Sequence, residues 1–241
     1  MRLALLNPNT TARITNAMAE AARAVLPPDA EVVEITARRG PDAIEGYEEQ
    51  AIAAAAVSEM MRGHPDCDAY LIGCFGDPGL YAARELTRAP VVGIGQAALM
   101  TACTLGRRFA VVTTLARGIG TIEDRLILYG LRDRCASIRP TGVPVLDHGA
   151  DVNGLERLRR EARLAVDDGA DVIVLACGSM AGEAQAVMEA AGVPAVDGVT
   201  VGALMAYSLV RAGLWTSKNG AFSTPEPVHY VNMPAVYGQS S

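Results

Sequence analysis

Asp68-Ala-Tyr-Leu-Ile-Gly-Cys74 and Asp171-Val-Ile-Val-Leu-Ala-Cys177 repeat one pattern: an aspartate, an apolar run, then a cysteine. Both ends of the pattern recur at the same spacing, Asp171 following Asp68 and Cys177 following Cys74 by 103 residues. Each run is too short for a helix and reads as a parallel strand buried on both faces. A glycine-containing turn follows each, Phe75-Gly-Asp-Pro-Gly79 or Gly178-Ser179, and then a helix-like stretch. Open α/β sheets bind ligands at the carboxyl ends of their strands. Two related halves are therefore expected, each bringing one thiol to a shared site.

The rest of the chain fits that frame. Apolar strand patterns at Leu3–Leu6, Val32–Ile35, Val91–Ile94, Phe109–Thr114, Ala136–Ile138 and Ala195-Val196 alternate with helix patterns, the order that predicts parallel sheets wrapped by helices. Ala98-Leu-Met100 recurs as Ala203-Leu-Met205, each just past a strand that follows a proline. This gives a first α/β half over 1–106, a second over 107–214, and a tail over 215–241 rich in Pro, Gly and Ser. The last helical region is a candidate to pack back on the first half. The tail, with Trp215, Phe222, Tyr230 and Tyr237, reads as a segment laid over the body or a neighbouring subunit.

Composition excludes several function classes. With 241 residues, half of them hydrophobic, the chain can bury one large core or two small ones, and its net charge of −6 offers no basic footprint for nucleic acid or an anionic membrane surface. The four apolar residues before Asn7-Pro8 are too few for a secretory core, and no run approaches a membrane span, so a soluble, cytoplasmic protein is expected. Five cysteines without regular spacing, at 67, 74, 103, 135 and 177, fit neither a disulfide framework nor a zinc pattern. The histidines, 64, 148 and 229, are scattered, so no metal site is expected. The single lysine, Lys218, lies outside the strand ends and is a poor Schiff-base candidate.

Side chains at strand ends are left to do the chemistry. A lone cysteine ending an apolar strand is usually core, and Cys67, Cys103 and Cys135 are read that way. Cys74 and Cys177 stand at matching places. The turns after them suggest helix starts at Asp77-Pro78 and Ser179, and a helix amino terminus lowers a thiol's pKa toward neutrality, although Asp77 would oppose this beside Cys74. One thiolate facing one thiol is the expected resting state. Asn7, Asn9 and Thr10 after the first strand, and Thr113 and Thr114 after its apparent equivalent, read as helix caps and turn residues or as donors to an oxygen gaining negative charge. No phosphate-binding glycine loop is present, Gly118-Ile-Gly120 being only a fragment.

Asn7-Pro-Asn-Thr10, Gly73-Cys-Phe-Gly-Asp-Pro-Gly79, Pro90-Val-Val-Gly-Ile-Gly95, Cys177-Gly-Ser-Met-Ala181 and Val196-Asp-Gly198 together resemble the hydantoin and allantoin racemases of the aspartate/glutamate racemase superfamily. The resemblance implies two pseudo-symmetric α/β halves, an active site in the cleft between them, no cofactor and a homo-oligomer. It implies catalysis by Cys74 and Cys177, with Asn7, Asn9, Thr10, Phe75, Gly76, Asp77, Thr113, Thr114, Gly178 and Ser179 around the substrate. Phe75-Gly76 stands where glutamate racemases place Asn-Thr, which argues against a free amino acid. Two thiols favour racemisation over the single-cysteine arylmalonate decarboxylases. The expected activity is cofactor-independent racemisation of a cyclic ureide, a 5-substituted hydantoin or allantoin. The alternatives are another superfamily reaction, namely amino-acid racemisation or decarboxylation, and a non-catalytic small-molecule-binding protein.

Overall fold

The computed structural model describes residues 1–148, 153–226, 228–231, 233 and 235–237. Strands β1 (Arg2–Asn7), β2 (Glu31–Thr36), β3 (Ala69–Ile72) and β4 (Val91–Gly93) form one sheet in the order β2-β1-β3-β4. Strands β5 (Phe109–Thr113), β6 (Cys135–Pro140), β7 (Val172–Leu175) and β8 (Ala195–Asp197) form a second in the equivalent order β6-β5-β7-β8. All pairings are parallel, so the fold is the expected pair of α/β halves. The central strands β3, β5 and β7 are buried at every position, which is why they read as unbroken apolar runs instead of alternating ones.

Register makes the repeat exact in its consequences. Leu6 pairs with Ile72 and the Gly73 N–H donates to the Leu6 carbonyl; Val112 pairs with Leu175 and the Ala176 N–H donates to the Val112 carbonyl. Cys74 and Cys177 therefore leave their sheets at equivalent points, with Asn7 and Thr113 ending the neighbouring strands.

The helices are α1 (Ala12–Val25), α2 (Tyr47–Gly63), α3 (Leu80–Leu86), α4 (Ile94–Leu105), α5 (Ile119–Leu128), α6 (Gly154–Asp167), α7 (Ala184–Ala191) and α8 (Gly198–Arg211). Two of them change sides. Ala98, Leu99 and Ala102 of α4 pack with Phe109, Val172, Val174 and Val196 of the second sheet. Val199, Ala203 and Ala206 of α8 pack with Leu3, Leu5, Leu71 and Val92 of the first. The recurring Ala98 and Ala203 are thus the small side chains that seat each helix on the other half's sheet, and neither half closes its core alone. At about 1.5–3 kcal/mol for each large apolar side chain buried, this exchange ties the halves into one body.

The helix starts at this junction are capped differently. Asp197 caps α8 in place, accepting from the Val199 and Thr200 N–H groups and the Thr200 hydroxyl. The corresponding residue of α4 is Gly93, and the carboxylate comes instead from Asp77, which accepts from the N–H groups of Gly95 (2.9 Å) and Gln96 (2.7 Å) and from the Tyr129 hydroxyl (2.8 Å). A β-carbon on Gly93 would lie 2.2 Å from Asp77 Oδ1, so the glycine makes room for the borrowed cap. Reaching it holds Asp77 at φ +46°, a left-handed conformation that only Gly, Asn and Asp adopt routinely.

The first part of the tail lies on α3. The Thr216 N–H and hydroxyl donate to the carbonyls of Arg88 and Ala89, Lys218 Nζ donates to those of Arg84 (2.6 Å) and Glu85 (2.8 Å), and Phe222 packs beside Tyr81. Lys218 is a C-terminal cap for α3. Among the described residues, no helix is long and apolar enough to cross a membrane.

Candidate active site

Met18 of α1, fully buried, wedges between the two cysteine-bearing strand ends. A β-carbon on Gly73 would lie 2.7 Å from the Met18 methyl, and one on Gly178 would lie 2.7 Å from its sulfur and 2.9 Å from the Gly73 carbonyl oxygen. Two glycines thus let the turns of the two halves approach backbone to backbone, which sets Cys74 and Cys177 on one cleft. The cleft is open to solvent on one side and lined by both polar and apolar groups around the two thiols.

The residues expected around a substrate divide in two. Asn9, Phe75, Gly76, Thr113, Thr114, Gly178 and Ser179 line the cleft with the thiols. Asn7, Thr10 and Asp77 do not line it, and each is occupied elsewhere. Asn7 is fully buried, its amide nitrogen donating to Asn9 Oδ1, the Thr11 carbonyl and Thr15 Oγ1; it sets the side chain of Asn9 and leaves Asn9 Nδ2 without a bond to any described residue. Thr10 bonds through both its N–H and its hydroxyl to the Pro41 carbonyl. Asp77 caps α4. Cys67 and Cys135 are buried in core clusters, as expected of structural cysteines.

Sequence reasoning missed the wall supplied by the segment entering α2. Ile44, Glu45 and Gln50 line the cleft, together with Ile14, Gly118, Thr121, Ile122 and Val145. This wall is pinned across the cleft to the second half. Glu45 accepts from the Val145 N–H at 2.9 Å, Arg117 pairs with Glu49 at 2.9 Å, and the Tyr47 hydroxyl donates to Asp124 at 2.7 Å. Arg13 adds a second connection, donating to the carbonyls of Leu146 and His148.

The thiols are not the low-pKa pair that helix starts would give. Burial pushes Cys74 up to about 12, reinforced by Cys177 and Asp77 and opposed by a hydrogen bond from the Gly76 backbone and by Arg125. Burial also raises Cys177, but there the Ser179 hydroxyl, 3.0 Å from the sulfur, and the Ser179 backbone pull the other way. The reason is geometric: α3 begins only at Leu80 and α7 only at Ala184, and Cys177 is followed by a single 3₁₀ turn over Gly178–Met180. Neither thiol sits on a helix amino terminus, so desolvation wins. Glu45 and Glu183 act with burial on Cys177, so both thiols are held above the ordinary cysteine range.

Residues 3–206 match the sequence profile of the Asp/Glu/Hydantoin racemase family. The chain belongs to this family. A hydantoin racemase of Pseudomonas sp. (strain NS671) is 38% identical over 244 residues, covering 100% of this chain and 98% of that protein. The structure of an allantoin racemase from Klebsiella pneumoniae superposes with a TM-score of 0.95 at 37% identity, covering 98% of each chain. That of an allantoin racemase from Pseudomonas fluorescens gives 0.93 at 43% identity, covering 96% of this chain and 100% of the other. The family's arrangement of two α/β halves is the one described above.

Proposed function

We propose that this racemase-family chain inverts cyclic ureides, 5-substituted hydantoins or allantoin, using Cys74 and Cys177 as a two-base pair with no metal or cofactor. The observation that carries the reading is the delivery of two thiols to one cleft from equivalent strand ends of two pseudo-symmetric halves. Inversion at a carbon needs a base on one face and an acid on the other, which a single residue serves poorly. A thiolate takes the proton from C5 and becomes a thiol, while the opposing thiol delivers its proton to the other face and becomes the thiolate. The enzyme is left ready for the opposite enantiomer.

The remaining lining supplies the electrostatics. The carbanion is delocalised into the ring carbonyl beside C5, so the chemistry asks for no further electron sink. The oxygen that gains charge is held by Asn9 Nδ2 and the hydroxyls of Thr113 and Thr114, which line the cleft and bond to no described residue, and by backbone N–H groups of the cysteine turns. The Ser179 hydroxyl, 3.0 Å from the Cys177 sulfur, can donate to that sulfur when it carries the charge. A thiolate raised by burial is also a stronger base than a free one, which suits a weakly acidic C–H.

A homo-oligomer belongs to the same proposal. Leu214 and Trp215 are exposed beside the α3 region and offer apolar surface for a second copy to cover. Polarimetry of optically pure hydantoins, allantoin, aspartate and glutamate tests the substrate assignment. The rotation of a cyclic ureide is expected to decay, with or without exhaustive chelation, while aspartate and glutamate keep theirs. Decay confined to the amino acids, or activity lost on chelation and restored by metal, contradicts the proposal.

A further inference from the structure

Gln50 takes no part in the two-thiol chemistry, yet its placement is specific. It lies in the first turn of α2, its N–H donating to the Gly46 carbonyl, directly after the two residues that pin this turn to the second half, Tyr47 to Asp124 and Glu49 to Arg117. A β-carbon on Gly76 would be 2.6 Å from the carbon, the oxygen and the nitrogen of the Gln50 amide alike. The Gln50 amide therefore fills the space that a side chain at Gly76, two residues past Cys74, would take. Neither amide atom bonds to any described residue, and the side chain lines the cleft with both thiols.

A primary amide presents an acceptor and a donor side by side. That edge matches an N–H and an adjacent C=O held cis in a small ring, the geometry by which Gln and Asn read a base edge with two hydrogen bonds. An open-chain trans amide or a free amino acid cannot offer both groups on one edge. We infer that Gln50 is the ring-recognition residue: its amide pairs with a cis N–H and C=O of the cyclic ureide, and position 76 is glycine so that the amide can lie there. The inference rests on the ureide-racemase reading and names the residue that selects a ring over an open chain.

The test uses a ureide that the enzyme racemises, together with its N1-methyl and N3-methyl derivatives, each of which has lost one ring donor. The parent is expected to handle at least one derivative about 10- to 100-fold less well in kcat/KM, mainly through KM, the range expected for losing such a hydrogen-bond pair. Gln50→Ala is expected to lose a similar factor on the unmethylated ring and to show no discrimination among the three. Gly76→Ala, which must push the amide aside, is expected to reproduce the Gln50→Ala loss alone and to add nothing in the double variant, with thermal melts confirming that all three variants fold. Discrimination that persists undiminished in Gln50→Ala, or losses that multiply in the double variant, overturns the inference while leaving the racemase reading intact. If the parent racemises no cyclic ureide, the racemase reading fails and the inference falls with it.

Discussion

Gly178→Ala tests the packing that brings the two thiols together. The added carbon would lie 2.7 Å from Met18 Sδ and 2.9 Å from the Gly73 carbonyl oxygen, both far inside ordinary contact. Neither neighbour yields easily. Met18 is fully buried among Leu5, Ile14 and Ala19, and Gly73 is tied to β1 by its 2.8 Å bond to Leu6. Relief therefore requires the two cysteine turns to move apart by a substantial fraction of an ångström. Overpacking of this kind costs about 1–3 kcal/mol. A misplacement approaching 1 Å costs about 100-fold in rate, because both thiols must reach opposite faces of one carbon. Urea denaturation and racemisation rates of the variant measure the two effects. Gly63→Ala serves as the control, since a β-carbon there meets nothing within 4 Å, and its midpoint is expected to match or exceed the parent's. A Gly178→Ala protein with the parent's urea midpoint and the parent's rate would refute the argument that close backbone approach sets the thiol pair.

Two further outcomes follow from the same geometry. Asp77→Asn keeps the size of the side chain but can accept at only one atom, leaving Gly95 or Gln96 N–H facing an amide nitrogen; a loss of about 1–3 kcal/mol in chemical denaturation is expected, and an unchanged midpoint contradicts the borrowed cap. Because burial raises both thiols and one of them must ionise before it can act, kcat/KM is expected to climb with pH without levelling off below the ordinary thiol value of about 8.5. A plateau reached by pH 8 shows instead that a thiol ionises more easily than its burial in the cleft allows.

What the sequence made legible were features set by local pattern and repetition. The strands ending at Cys74 and Cys177 stand out because burial on both faces leaves them apolar throughout, and the register places both thiols at equivalent exits. Direction is harder to read than position. Asn7 and Thr10 follow a strand end and Asp77 enters the substrate set through the family resemblance, but Asn7 turns inward to orient Asn9, Thr10 faces Pro41, and Asp77 replaces a cap that Gly93 lacks. Gln50 and Glu45 could not be found that way. The alanine-rich stretch declares a helix, whereas its first turn is brought to the cleft by contacts between residues far apart in the chain, such as Tyr47 with Asp124 and Glu45 with Val145. Thiol acidity is hidden from the sequence for a related reason, since a glycine turn suggests a helix start, and only the fold shows that α3 and α7 begin too late to offset desolvation.

The central claim is that one thiol serves each face of the substrate. Cys74→Ser and Cys177→Ser test it in heavy water, because a serine hydroxyl is far too weak an acid to replace a thiol in either role. Each variant is expected to lose net racemisation and yet to exchange the C5 hydrogen of one enantiomer only, without inversion, the variant retaining Cys177 acting on one hand and the variant retaining Cys74 on the other. Exchange of both enantiomers by a single variant, or racemisation at a rate close to the parent's, contradicts the two-thiol account.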